Sequence, residues 1–373
     1  MGSRRLTAHA AAIAAIAVLA AGCGTDTNGE DEPAVPATDG PPEPGAAPEA
    51  EGTAEVVGTV AEDLDSPWGL VVLPDGDLLV GSRDASVISR VDPEDGSVTE
   101  AADLSGVDTD GEGGLLGMAF RDEQVYAYHT AAEDNRIVRM DLRDDGTLAE
   151  SEVVLSGIPR DARIHNGGGL AFGPDDMLYA GTGDANDPAL AQDEDSLAGK
   201  ILRMTPDGEP PEEGNAEPGS LVHSLGHRNV QGLAWDDDQL WVSEFGASEW
   251  DELNLIRPGG NYGWPHHEGS GGEAEGYIDP VVEWQPSEAS PSGLAFHEGA
   301  LWMAALRGER LWRIPLDAAG PSAEPQSFFA HEYGRLRTVV PDGDGQLLLV
   351  TNETDTRGNP DEGDDRILRV DIT

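Results

Sequence analysis

The sequence predicts an all-β, six-bladed β-propeller over residues 55–373, on three observations. One pattern returns six times: a glycine-led apolar strand, a Pro/Asp/Gly turn, a second apolar strand, a loop, and a third strand ending in Arg-x-Asp or similar. The leading glycines Gly69, Gly117, Gly169, Gly232 and Gly293 stand 48, 52, 63 and 61 residues apart. Repeats of that length, each holding several strands, are the mark of propeller blades. Turn signals such as PDG bound short alternating runs, and no segment holds a long apolar face of period 3.6, which removes helical solenoids.

Taken in order, residues 1–22 carry Arg4 and Arg5, a short apolar run, and small residues before Cys23. That is the plan of a secretory signal, and the apolar run is short for a membrane span. Cys23 stands at the expected cleavage point, so the start resembles a bacterial lipoprotein signal. The expected localisation is extracytoplasmic, attached to the membrane by a lipid on Cys23 only, with plain secretion as the alternative. Residues 23–54 are Gly, Pro, Ala, Asp, Glu and Thr with almost no large apolar side chain. Such a segment cannot bury enough surface to offset ordering entropy, and a disordered tether is expected. Next comes EVVGTVAEDL, a strand free to pair with the last blade and close the ring. The blades follow, from PWGLVVLPDGDLLVG through GLLGMAF, GGLAFGPD, QGLAWDDD and SGLAFHEG to RTVVPDGDGQLLLV.

The formal net charge is −50, and Lys200 is the single lysine. Nucleic acid is excluded as a general partner, because its phosphates need basic surface. Anionic lipid surfaces are disfavoured for the same reason. With one cysteine, no intramolecular disulfide can form.

Against that acidic background, polar residues gather just before the glycine-led strands: Glu112, His165-Asn166, Arg228-Asn229, Ser287, and Arg335 with Arg337. Loops at one end of successive blades would bring them to one mouth. His165 is the candidate base, since an imidazole near its ordinary pKa can take a hydroxyl proton. Asp184, one hairpin later, could orient its ring. Arg335 and Arg337 are two apart, on one side of an extended chain. Clustered carboxylates and loop carbonyls in ASEWDELN and GGNYGWP are the hard oxygen ligands that calcium takes.

The motifs GHRNVQGLAW, DELNLIRPGGNYGWP and HNGGGLAFGPD resemble those of the soluble pyrroloquinoline-quinone (PQQ) sugar dehydrogenases, the glucose/sorbosone and aldose sugar dehydrogenase group. The resemblance covers residues 55–373. It implies PQQ- and calcium-dependent oxidation of an aldose at C1 to a lactone, with hydride passing to the quinone and electrons to an external acceptor. In that scheme His165 is the general base, supported by Asp184, with Arg228 beside them. Arg228, Asn229, Arg335 and Arg337 match cofactor contacts. Arg307 stands where a relative has lysine, and Ser287 near a cofactor-contacting threonine. PQQ bears three carboxylates, which suits arginines. Glu112 matches a glutamine that contacts substrate or cofactor; as a carboxylate it would repel PQQ unless an arginine or cation intervenes. A catalytic calcium on the cofactor is expected to take the Gly246 and Ala247 carbonyls, with Ala247 in place of a proline. A structural calcium is expected at the Glu252 side chain and the Tyr262 carbonyl. The alternative is a non-redox propeller, either a calcium-dependent lactone hydrolase or an extracytoplasmic ligand-binding scaffold, neither of which needs the arginine cluster. A small-molecule sugar is the expected partner, and the chain a monomer or homodimer.

Overall fold

The computed structural model describes residues 50–373. The signal segment, Cys23 and most of the tether lie outside the described residues. Six antiparallel sheets follow one another along the chain, at residues 67–103, 115–158, 169–225, 230–284, 291–328 and 336–372. Five have four strands; the fifth, where two short outer strands share one neighbour, has five. The innermost strands are Pro67–Val72, Leu115–Arg121, Gly169–Phe172, Val230–Asp236, Pro291–His297 and Leu336–Pro341. This is the six-bladed propeller that the repeats predict.

The ring closes as the sequence suggests. Ala54–Ala61 pairs antiparallel with Ile367–Ile372, Ala54 opposite Ile372, and so completes the sixth blade with the first strand of the domain. Contact with the propeller extends before Glu55, as the Thr53 amide donates to the Thr373 carbonyl at 2.7 Å. The apolar cores lie between neighbouring blades. One of them gathers Trp68, Leu116, Tyr126 and Leu170 from three successive blades. Burying a side chain such as Leu116 contributes about 1.5–3 kcal/mol.

The repeated glycines have one physical cause. A Cβ on Gly117 would lie 2.1 Å from the Gly168 carbonyl oxygen, and one on Gly232 would lie 2.3 Å from that of Ser292. Gly69 and Gly293 are confined in the same way by the inner strand of the next blade. The inner strands therefore touch backbone to backbone around the axis, and only glycine fits. The sixth repeat carries Thr338 instead, and its hydroxyl donates to the Trp68 carbonyl at 2.5 Å across the closing seam.

Candidate active site

A cavity of about 430 Å³ opens at one end of the ring, lined by loops from all six blades. Seven arginines and three carboxylates line it, in a chain whose formal net charge is −50. Of the residues predicted from sequence, Glu112, His165, Arg228, Asn229, Gly246, Ala247, Arg307, Arg335 and Arg337 are all in its wall. Ser287 is not, although its neighbours Pro286 and Ser290 are. Asp184, Glu252 and Tyr262 lie behind the wall, buried.

His165 is held from three sides. Its Nδ1 lies 2.7 Å from Asp184 Oδ1, and its Nε2 is 2.8 Å from Arg228 Nη2. A guanidinium can only donate, so Nε2 is the acceptor and the ring proton sits on Nδ1, donated to Asp184. Asp184 is fully buried and has both oxygens bonded, Oδ1 also to the Asn186 amide at 2.9 Å and Oδ2 to Trp264 Nε1 at 2.9 Å. The same indole lies under the Arg228 guanidinium, 5.5 Å from the ring centre. The His165 backbone has φ of 59°, in the left-handed region that a residue with a Cβ adopts only when held. Glu112 is what holds it: Glu112 Oε2 accepts the His165 amide at 3.1 Å, while Oε1 pairs with Arg357 at 2.5 Å. An arginine thus stands beside Glu112, as the expectation of repulsion required.

Arg228 is half-buried, and desolvation lowers its pKa against the pull of Asp184, Glu268 and Glu244. Its backbone is fixed by Glu244, which accepts the Arg228 amide at 2.5 Å and the His227 Nδ1 proton at 2.7 Å. Asn229 accepts the Gly167 amide at 2.9 Å, tying the two polar loops together. Across the cavity, Arg337 donates to Asn352 at 2.7 Å and Gln231 at 2.9 Å, and its guanidinium is 5.5 Å from the Trp68 ring centre. Burial, and then the like charge of Arg83, push its pKa down to about 9. Arg335 reaches Asp355 at 3.2 Å. Asp355 stays below the usual carboxylate range despite burial, because Arg335 and Arg337 face it. Arg228 Nε and Arg335 Nε are buried donors without a hydrogen-bond partner among the described residues.

Two oxygen-rich places adjoin the cavity. In one, Glu252 lies opposite Glu244 on paired strands, both buried, and Asn254 bridges them with its amide group at 3.0 and 3.3 Å. Burial and then the Glu244 charge raise the Glu252 pKa. Asn254 Oδ1 is buried without a hydrogen-bond partner among the described residues. In the other, Gly246 and Ala247 line the cavity beside Asp251, whose pKa burial raises to about 6. Among the described residues no group of three or more His, Cys, Asp or Glu side chains is placed to hold a metal. Any cation here would rest largely on carbonyl and amide oxygens.

Arg83, Trp68, Trp264, Asp355 and Arg357 escape the sequence-based reading. Arg83 and Asp355 share a signal that could have found them. They follow the second strand of their repeat, as Asp184 and Arg307 do.

The comparisons with known proteins agree with this geometry. The family model described as Glucose / Sorbosone dehydrogenase matches residues 64–360. The PQQ-bound form of aldose sugar dehydrogenase from Streptomyces coelicolor superposes with a TM-score of 0.85 at 57% identity, covering 88% of this chain and 100% of that one. An aldose sugar dehydrogenase of Escherichia coli (strain K12) is 27% identical over 337 residues, 80% of this chain and 90% of its own. Quinoprotein glucose dehydrogenase B of Acinetobacter calcoaceticus is 32% identical over 247 residues, 56% of this chain and 52% of its own. With the model spanning most of the propeller, the chain belongs to the glucose/sorbosone dehydrogenase family.

Proposed function

We propose that the chain is a PQQ-dependent dehydrogenase that oxidises an aldose at C1 to the lactone and passes electrons to an external acceptor. The observation that carries this reading is the arginine-lined cavity with a carboxylate-backed histidine in its wall. The 57% identical relative whose structure is described as PQQ-bound supports it. The cavity's donors suit that group. Half-buried arginines whose buried Nε atoms have no partner among the described residues, in a wall with four more arginines than carboxylates (seven against three), match a ligand bearing three carboxylates. A non-redox propeller would have no use for that cluster.

Arg228, Asn229, Arg307, Arg335 and Arg337 would hold PQQ, which supplies a two-electron acceptor for the hydride when bound. Calcium fits both oxygen-rich places. The Gly246 and Ala247 carbonyls would hold one ion at the cavity. Glu252, with the orphaned Asn254 Oδ1 and the Tyr262 carbonyl, would hold the other. A calcium there would relieve the buried Glu244–Glu252 opposition. The chain's own step is a proton transfer. Asp184 fixes the tautomer, leaving the Nε2 lone pair of His165 to take the C1 hydroxyl proton. Arg228 occupies that lone pair in this structure and must turn to another acceptor as the sugar arrives.

The test is PQQ titration by absorbance with calcium, followed by dye-linked aldose oxidation at saturating cofactor. His165→Gln is expected to bind PQQ but lose turnover by roughly 10²–10⁴-fold, whereas Arg228→Ala weakens cofactor binding as well. Near-wild-type turnover in His165→Gln would remove the base assignment; wild-type protein that binds no PQQ would end the reading. Membrane attachment through a lipid on Cys23, with residues 24–54 as tether, belongs to the same proposal. It rests on the signal-like start of the sequence. Cys23→Ala should move to the soluble fraction, and its retention in membranes would count against the anchor.

A further inference from the structure

Glu268 lies 21 residues beyond Ala247, in the loop that follows GGNYGWP. One of its oxygens, Oε1, accepts four consecutive backbone amides: Ala247 at 2.8 Å, Ser248 at 3.0 Å, Glu249 at 2.9 Å and Trp250 at 3.1 Å. Four amides converging on one carboxylate oxygen form a closed anion nest, with the anion supplied by the chain itself. The curl is tight. A Cβ on Gly246 would sit 1.7 Å from the Trp250 carbonyl oxygen, and the Gly246 amide is held by Asp251 at 3.0 Å.

Peptide planarity turns these bonds into a statement about carbonyls. The peptide bonds of this loop are trans, so each N–H points opposite to the C=O of the residue before it. With the Ala247 and Ser248 amides committed to Glu268, the Gly246 and Ala247 carbonyls must face away from it. Gly246 and Ala247 line the cofactor cavity; Glu268 does not. Neither carbonyl accepts a hydrogen bond from the protein among the described residues. Two adjacent free carbonyl oxygens, fixed in direction, are a preorganised pair of hard ligands.

We propose that Glu268 is the positioning residue that presents the Gly246 and Ala247 carbonyls to the cofactor's calcium, an inference that rests on the calcium- and PQQ-dependent reading above. Its contribution is geometric: the carboxylate sets the loop's shape from outside the cavity and touches neither substrate nor cofactor. Outer partners of this kind tune metal affinity by aligning the ligands.

Two substitutions separate geometry from charge. Glu268→Gln keeps an acceptor oxygen at the same reach and removes the charge. Glu268→Asp keeps the charge but withdraws it by one methylene from the four amides. The probe is the PQQ absorbance change, titrated with calcium at fixed PQQ, with melting in the absence of calcium as the check on folding. Glu268→Asp is expected to raise the calcium needed for half-saturation by about tenfold or more, while Glu268→Gln stays near wild type. Equal shifts in both variants, or none in Glu268→Asp, would overturn the proposal. Should Glu268→Asp not fold, Glu268→Ala, which removes the acceptor, takes its place: a raised calcium requirement beside a near-wild-type Glu268→Gln supports the geometric role, and an unshifted one refutes it. A wild-type protein with no calcium-dependent PQQ signal would refute the functional reading itself, a result distinct from either variant's.

Discussion

At the scale of single residues, the site depends on side chains to which the sequence reading gave no role. Trp264 donates to Asp184 and lies under Arg228, so one indole positions both the partner of the base and the guanidinium at its lone pair. Trp264→Phe keeps an aromatic face under Arg228 but removes the N–H. Turnover is expected to fall by roughly tenfold, equivalent to about 1.4 kcal/mol. Unchanged turnover would reduce Trp264 to packing. Glu112 teaches the reverse lesson. By type it looks hostile to an anionic cofactor, yet both its oxygens are occupied, by the His165 amide and by Arg357.

At the scale of elements, strands deliver residues to the cavity and loops are pinned to keep them there. The loop from Asp184 to Lys200 is held by the Lys200 ammonium, which donates to the carbonyls of Leu190, Ala191 and Ala198 at 2.8, 3.1 and 2.7 Å. Burial lowers its pKa to about 8. Gln192 in the same loop bonds Asn261 and the Trp264 carbonyl, joining this loop to GGNYGWP. The strand Val222–Leu225 carries a different titrating group. His223 is buried edge-on to Tyr179, and burial followed by the Arg203 charge lowers its pKa from 6.5 to about 4. Between those values the unfolded chain binds the proton and the folded one does not, so stability falls as pH drops from 6.5 to about 4. The loss amounts to at most roughly 3 kcal/mol. In His223→Gln the difference in melting temperature between pH 7 and pH 4 should narrow; an undiminished difference would clear His223 of the effect.

At the scale of the whole molecule, two features dominate: a ring closed by its own first strand, and a net charge of −50. Closure pairs the first strand of the domain, outermost in the sixth blade, with the last, so cutting Ala54–Ala61 away would expose the edge of Ile367–Ile372. The charge repels itself over distances comparable to the Debye length, about 10 Å at 0.1 M salt. With 72 acidic against 22 basic side chains, screening relieves more repulsion than attraction. Melting temperature should therefore rise as sodium chloride goes from near zero to about 1 M. A flat or falling curve would mean that the local ion pairs outweigh the global repulsion.

The sequence alone determined the propeller, its six blades and its closing strand, because each repeat states the same local rule. Glycine marks the crowded axis, PDG-type turns mark the hairpins, and alternation marks the strands. It also determined His165, Asp184, Arg228, Arg335 and Arg337 as candidates, since chemistry-bearing residues recur at one place in successive repeats. Only the tertiary structure decided how they are arranged. That Nε2 of His165 is the unprotonated ring nitrogen follows from Arg228, 63 residues away, which donates to it. That an arginine stands against Glu112 follows from Arg357, and that one carboxylate oxygen gathers the amides of residues 247–250 follows from Glu268. The first two contacts join loops of different blades, and the third joins two loops of the fourth blade, 21 residues apart. Their partners are set by how the ring brings blade ends together, which no local pattern encodes.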